Sequence, residues 1–363
     1  MKAKYPSRLV AIAAVVVCQL VAAPLAAQDA TPTERAFELL GLEGGGLTED
    51  PARIAEGLSL LQAAAESGDG VAQNTLGMVY TNGLYGIEVD VDRALELYAA
   101  AMDSDVVGNI AALNWALTSY SVGNTEAAVE RLEALYALDW ELAPAAAATL
   151  ANAYAFGQGA MEDLSRAGEL YEVAVEWNPN DSQAHYMLGR GYETGFFGSG
   201  VQESRAYTHY LAAAELGDPR AAWKVGMAHL EGLPDFDGGS EQAYRWVRQS
   251  AEAGWIDGMI STAVMLATGD GTGQDVNEAA YWYTEAALQG SAHAMRGLGA
   301  MLYNGELGER DPLLGLALLE LGAQGGDEFA GVILDSINEQ TRGVDRGEIE
   351  RAKAEWRQRL ENR

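Results

Sequence analysis

The sequence predicts an all-α protein, a right-handed α-solenoid of stacked antiparallel helix pairs. Two sets of markers recur along the chain at intervals of roughly 34 to 40 residues, the period of helical-repeat proteins. One helix pair cannot bury its apolar stripe alone, so neighbouring pairs must stack on each other. The 363 residues and a hydrophobic content of 48% are sufficient for a sizeable core of this kind.

The first marker is a large or apolar residue followed three positions later by glycine, with a small residue three positions before it in most copies. It occurs seven times, at Tyr80 and Gly83, Tyr120 and Gly123, Tyr154 and Gly157, Tyr192 and Gly195, His229 and Gly232, Leu266 and Gly269, and Leu302 and Gly305. The second marker is a small residue that recurs in step, at Gly57, Ala94, Ala128, Ala167, Ala206, Ala243, Ala279 and Gly315. Tyrosine follows several of these four positions later, on the same helix face. Each period therefore predicts a first helix, a turn and a second helix.

The first 27 residues predict a secretory signal peptide. Lys2, Lys4 and Arg8 precede an apolar run, and small residues allow cleavage near Ala27. An uncleaved membrane anchor is the alternative, because the apolar run could almost span a bilayer. The single cysteine, Cys18, lies in this segment, so we expect an exported, periplasmic or secreted protein without disulfides.

The rest of the chain divides into three parts. Residues 28–68 predict a divergent N-terminal helix pair, residues 69–326 seven full pairs, and residues 327–363 capping helices with a polar outer face. Residues 105–150 lack the long loop of the other repeats and predict a shorter pair.

Helix boundaries carry matching capping residues. Asp50, Asp218 and Asp311 each precede a proline, which predicts N-caps with proline at the first helical position. Within "ATGDGTGQDVNEAAYWYTEAALQG", Gly269 predicts a C-cap, and Asp275 with Glu278 predicts a capping box. The glycines of this stretch do not fit a dinucleotide or calcium loop, so we interpret it as a structural turn.

The stretches "AAESGDGVAQNTLGMVYTNG", "AAELGDPRAAWKVGMAHLEG" and "AALQGSAHAMRGLGAMLYNG" resemble the Sel-1-like repeat, a longer relative of the tetratricopeptide repeat. The resemblance covers nearly all of the chain after the signal segment and implies an exported bacterial member of that family. It implies adaptor or regulatory work in the cell envelope, including polymer secretion and signalling. Some disulfide-rich family members are associated with β-lactam binding or hydrolysis, and the absence of cysteines after Cys18 departs from that subgroup.

The sequence offers little for catalysis. The four histidines, His185, His209, His229 and His293, have no helical ligand spacing, and no familiar nucleophile motif occurs. A formal charge of −30 disfavours nucleic acids and anionic membranes as partners. We therefore expect no enzyme activity, no cofactor, no metal site and no stable membrane insertion after signal cleavage.

Tetratricopeptide arrays place certain first-helix positions along a concave groove, and the same positions here predict a partner-binding surface. The positions are three before the small residue, one after it, and four or five after it. The candidate partner-binding residues are Asn74, Tyr186, Arg190, Trp223, Met227, Arg296, Tyr303 and Asn304. Large aromatic and arginine side chains are typical binding hot spots. Most other aromatics are expected in the core, namely Tyr80, Tyr98, Tyr154, Tyr192, Trp246 and Trp282.

The combined expectation is a periplasmic adaptor or regulator that binds a protein or peptide segment along this groove. One alternative is a scaffold that binds polysaccharide or serves its secretion, because aromatic groove residues stack on sugars as well as on peptides. A further alternative is an envelope protein that binds or hydrolyses β-lactams.

Overall fold

A computed structural model describes residues 30–42, 46–138, 142–198, 200–337, 341 and 343–362. The predicted signal segment therefore lies outside the described residues. The chain divides into two compact units, Met1–Pro179 and Asn180–Arg363. Every regular element in the described residues is helical, and each unit is a stack of antiparallel helix pairs, so the predicted fold class is confirmed.

The first unit contains four helix pairs in its described residues. They are α1 (Pro32–Leu40) and α2 (Pro51–Glu66), α3 (Gly70–Asn82) and α4 (Val91–Ala101), α5 (Gly108–Ser121) and α6 (Thr125–Tyr136), and α7 (Ala147–Phe156) and α8 (Leu164–Trp177). Short 3-10 turns occupy Leu84–Gly86 and Ala143–Ala146.

The second unit contains four further pairs and two capping helices in its described residues. The pairs are α9 (Ser182–Thr194) and α10 (Glu203–Glu215), α11 (Pro219–Glu231) and α12 (Gly239–Glu252), α13 (Ile256–Thr268) and α14 (Val276–Ala287), and α15 (Ala292–Asn304) and α16 (Pro312–Gln324). The capping helices are α17 (Glu328–Ile337) and α18 (Arg346–Glu361). None of the helices in the described part of the chain combines the length and the apolar character needed to cross a bilayer.

The predicted N-caps are confirmed. The carboxylates of Asp50, Asp218 and Asp311 accept backbone N–H groups at the starts of α2, α11 and α16, each with proline in the first turn. These bonds satisfy donors that have no partner inside the helix.

The capping box predicted at α14 is only half formed. Asp275 accepts the N–H groups of Asn277 and Glu278, as predicted. The Glu278 carboxylate instead accepts from the Trp282 indole nitrogen at 3.4 Å and pairs with Arg248 on α12 at 2.9 Å. An ion pair to the neighbouring helix thus replaces the predicted bond to the cap. Gly269 closes α13 in the left-handed conformation, at φ 78°, as predicted for a C-cap.

Small residues on the first helices admit aromatic rings from the second helices. A Cβ atom added to Gly77 would lie 2.7 Å from Tyr98, and one added to Gly189 would lie 2.6 Å from Tyr210. Both tyrosines are fully buried. The two sequence markers therefore reflect one contact, in which a tyrosine ring of the second helix packs on a glycine of the first helix.

The core prediction holds for three of the six aromatic residues named above. Tyr98, Tyr192 and Trp282 are buried. The other three, Tyr80, Tyr154 and Trp246, are half-buried. The Tyr154 hydroxyl reaches the helix surface, where it donates to Glu133 at 2.9 Å.

Candidate partner-binding site

The first helices of successive pairs in the second unit are in direct contact. Arg220 of α11 donates to Gln183 of α9 at 2.6 Å, and the Trp223 indole nitrogen donates to Ser261 of α13 at 3.0 Å. Corresponding positions on α9, α11 and α13 therefore form one surface. We call it the first-helix face and define it by Tyr186, Arg190, Trp223, Met227, Ile260 and Val264.

Each helix contributes two residues of this face, four positions apart, and such residues share a helix side. Tyr186, Trp223 and Ile260 are half-buried, as is Met227. Val264 is 45% exposed. The second residue of each helix forms a row along the face. This row runs from Arg190 through Met227 to Val264.

Tyr186 is held in place by Arg220. The guanidinium carbon of Arg220 lies 3.8 Å from the centroid of the Tyr186 ring. The same guanidinium donates through Nε to Asp218 Oδ1 at 3.1 Å. Hydrogen bonds to Gln183 and Asp218 hold the guanidinium in place. A planar cation held in this way is a favourable partner for an aromatic face.

A partly buried hydrogen-bond network joins Lys224, Glu193 and Tyr210. The Lys224 ammonium pairs with one oxygen of Glu193 at 2.6 Å, and the Tyr210 hydroxyl donates to the other at 2.7 Å. Burial is the main cause that raises the pKa of Tyr210, and the bond to Glu193 raises it further. Tyr210 therefore remains a hydroxyl donor, and Glu193 and Lys224 neutralise each other.

Arg190 differs from these cations. It is exposed, and its guanidinium makes no hydrogen bond or ion pair with the residues that the structure describes. It lies near enough to Tyr210 to oppose the rise in that pKa.

Trp223 and Met227 are both half-buried on the first-helix face. The Trp223 ring packs on a cluster of Ala243, Val247 and Met265, which leaves it partly exposed. Its indole hydrogen is already satisfied by Ser261, so the exposed part offers an apolar surface.

Two predicted groove residues are buried and do not face a partner. Asn74 is fully buried where α3 meets α5, and it accepts a hydrogen bond from Asn114 at 3.0 Å. Tyr303 is 8% exposed because it packs on Leu316 and Ala317 of α16 and on Ile349 of α18. For these two positions the expectation of a surface role is wrong.

Arg296 and Asn304 lie on α15, the first helix of the pair that follows α13 and α14. Arg296 donates to Asp327 at 3.0 Å, and that carboxylate is fully buried at the start of α17. Hydrogen bonds from Arg296 and from the Ala330 N–H outweigh the effect of burial and lower the pKa of Asp327. Asn304 is exposed and donates to Glu306 at 3.0 Å.

Sequence reasoning missed Arg220 and Lys224, which lie outside the groove positions of the repeat pattern. Basic residues are scarce in this chain, and three of them fall on α9 and α11, which was an available signal.

Sequence reasoning also missed a contact between His185 and His209, whose Nδ1 atoms lie 3.0 Å apart across α9 and α10. Among the described residues no group of three or more His, Cys, Asp or Glu side chains is placed to hold a metal ion.

Comparison with known proteins agrees with this fold. A model of the Sel1 repeat matches residues 35–69, 70–105, 144–176, 182–218, 219–255, 256–291 and 292–327. The longer of the two segments left unmatched between them, residues 106–143, falls where the sequence predicted a shorter pair. The first match lies largely in the pair that was expected to be divergent.

Two solved structures share the fold. A protective antigen of uropathogenic Escherichia coli with an SLR fold aligns over 90% of this chain and 76% of its own, at 22% identity and a TM-score of 0.56. A Sel1 repeat protein from Oxalobacter formigenes aligns over 68% of this chain and 99% of its own, at 26% identity and a TM-score of 0.53.

Two fungal proteins share part of the sequence. A chitin synthase regulator of Malassezia restricta is 29% identical over 134 residues, which are 37% of this chain and 9% of the relative. Chitin synthase regulatory factor 4 of Schizosaccharomyces pombe is 29% identical over 131 residues, 36% of this chain and 20% of the relative. This chain thus spans no more than a fifth of either relative. With seven repeats matched over more than half of its length, the chain belongs to the Sel1 repeat family.

Proposed function

We propose that the protein is a non-enzymatic, exported adaptor or regulator whose first-helix face binds a segment of a protein partner. Sel1 repeat proteins are suited to protein–protein interaction, and the family is generally a non-catalytic scaffold. The observation that carries the proposal is the row of exposed Arg190 and Val264 with half-buried Met227 between them, beside two half-buried aromatic residues. Aromatic and arginine anchors of this kind dominate binding energy at protein interfaces.

Export rests on the sequence of residues 1–27 and places the binding event in the periplasm of a bacterium, or outside the cell. N-terminal sequencing of the protein recovered from the periplasmic fraction tests this part. A start at Gln28 supports cleavage after Ala27, whereas an intact N-terminus in the membrane fraction supports an uncleaved anchor.

Site-specific photo-crosslinking in the cell tests the binding face. A photoreactive amino acid at Met227 is expected to capture a partner. The same amino acid at Tyr281, which is 55% exposed on the second helix α14, serves as the matched control. Equal capture at both positions would contradict the proposal.

A second candidate function is regulation of an enzyme of polysaccharide synthesis or export. The two fungal relatives named as chitin synthase regulators favour it, through the stretch of sequence that they share with this chain. Loss of exported polysaccharide in a deletion strain, restored by the wild-type chain, is the expected result. Unchanged polysaccharide would exclude this role.

A further inference from the structure

We infer that Arg190 recognises an acidic side chain in an extended peptide segment of the partner, and that Met227 and Val264 receive apolar side chains of the same segment. This inference rests on the proposed function and adds the chemistry of the segment. It assigns a carboxylate ligand to Arg190 and places the apolar side chains of the segment on Met227 and Val264.

The first step is the state of Arg190. The neighbouring cations are already committed, since Arg220 is bound to Asp218 and Lys224 to Glu193. Arg190 is exposed and has no such partner among the described residues, although carboxylates outnumber cations in this chain. An arginine presents several N–H donors in a planar fork that matches a carboxylate. A carboxylate supplied by a partner is the complementary group.

The second step is the composition of the row. Arg190, Met227 and Val264 each directly follow the small residue of their helix, at Gly189, Gly226 and Ala263. They are therefore equivalent positions on consecutive first helices. A segment that lies along the row meets a cation at one end and two apolar side chains beyond it, a pattern that favours a segment with one acidic and two apolar side chains.

The third step is spacing. Packed helices lie about 8–10 Å apart, and an extended chain advances about 3.3 Å per residue. One helix step therefore corresponds to about three residues of an extended segment. The expected pattern is an acidic residue followed or preceded, three and six positions away, by apolar residues.

The charge of the whole protein limits the partner further. At −30 the chain repels strongly acidic macromolecules at long range. A single acidic residue in a neutral or basic partner is compatible with that field, because a contact pair acts at short range while net charge governs encounter. A run of acidic residues is not.

Selection from a displayed library of random dodecapeptides, flanked at both ends by fixed linkers, tests the inference on the purified protein. The wild type is expected to enrich peptides with Asp or Glu three positions from an apolar residue. The R190Q variant is expected to lose the acidic preference and keep the apolar one. The R245Q variant, which changes an arginine that is 63% exposed on α12, is the control and should select as the wild type does.

An enriched peptide then enters a double-mutant cycle. Replacing its acidic residue with the amide should weaken binding to the wild type by about tenfold and leave binding to R190Q nearly unchanged. Peptides enriched without an acidic residue, or an acidic preference that survives in R190Q, would overturn the inference and leave the proposed function standing. Selection of no peptide above an unrelated protein would overturn both. Enrichment only from a library with free C-termini, or binding of a linear uronic acid oligosaccharide in place of any peptide, would assign Arg190 a different anion and also overturn it.

Discussion

The guanidinium of Arg220 lies 3.8 Å from the centre of the Tyr186 ring and joins α9 to α11. It also binds Asp218, whose side chain is 6% exposed at the start of α11. One side chain thus fixes a helix start, the contact between two pairs and the aromatic residue at the edge of the first-helix face.

Replacing Arg220 should therefore destabilise the second unit. The R220A variant removes the stack and leaves a largely buried carboxylate without its cation, so we expect a loss of about 1–3 kcal/mol in the free energy of unfolding. Urea denaturation measures it. The R245A variant, which removes only an exposed pair within one helix, should change stability by less than about 0.5 kcal/mol. Equal effects would show that the Arg220 contacts contribute nothing specific.

Gly189→Ala should be destabilising although alanine favours helices. The added methyl group would lie 2.6 Å from the Tyr210 ring, and relieving that overlap costs about 1–3 kcal/mol. Gly331→Ala on α17 is the matched control, because a Cβ there has no neighbour within 4 Å. The control should be neutral or stabilising by up to about 1 kcal/mol. Thermal unfolding of both variants decides the point.

Asp327 should make stability depend on pH in the acid range. Its folded pKa is lowered from the ordinary value of 3.8, so its contribution is complete above that value and is lost as pH falls through the folded pKa. Asparagine also caps helices, so D327N should retain the cap but lose this dependence. Urea unfolding of both proteins from pH 5 to pH 2 measures the difference. Parallel curves for the two proteins would contradict the assignment.

Asn74 should behave as a core residue. The N74A variant leaves the buried amide of Asn114 without its acceptor, and we expect a loss of about 1–3 kcal/mol in urea denaturation. The exposed Asn304 is the control, and N304A should remain within about 0.5 kcal/mol of the wild type. If the N74A variant kept its stability but bound the partner more weakly, the prediction that Asn74 contacts the partner would stand.

The repeat pattern was sufficient to predict the helices because glycine, small and aromatic residues recur at fixed positions in each pair. The rings of Tyr98 and Tyr210 rest on Gly77 and Gly189, so the spacing of the markers records the packing itself. Capping residues located the boundaries for the same reason, since Asp218 and Gly269 satisfy backbone groups that any helix end leaves open.

The exposure of side chains on the first helices was predicted less completely, because it depends on neighbouring pairs. Tyr303 occupies a groove position of its own helix, but α18 packs over it. The pairing of Arg220 and Lys224, and the lack of a partner for Arg190, depend on distances between helices. Such distances are not encoded in the period of one repeat.

Binding of the partner captured by crosslinking at Met227 tests the central claim most directly. Calorimetric titration compares the wild type with V264E on the first-helix face and with V122E, a valine that is 53% exposed at the end of α5. An unpaired charge placed in an interface should weaken binding by V264E at least tenfold, about 1.4 kcal/mol, while V122E binds as the wild type does. Unchanged affinity in V264E, with the fold intact, would contradict the claim that this face holds the partner.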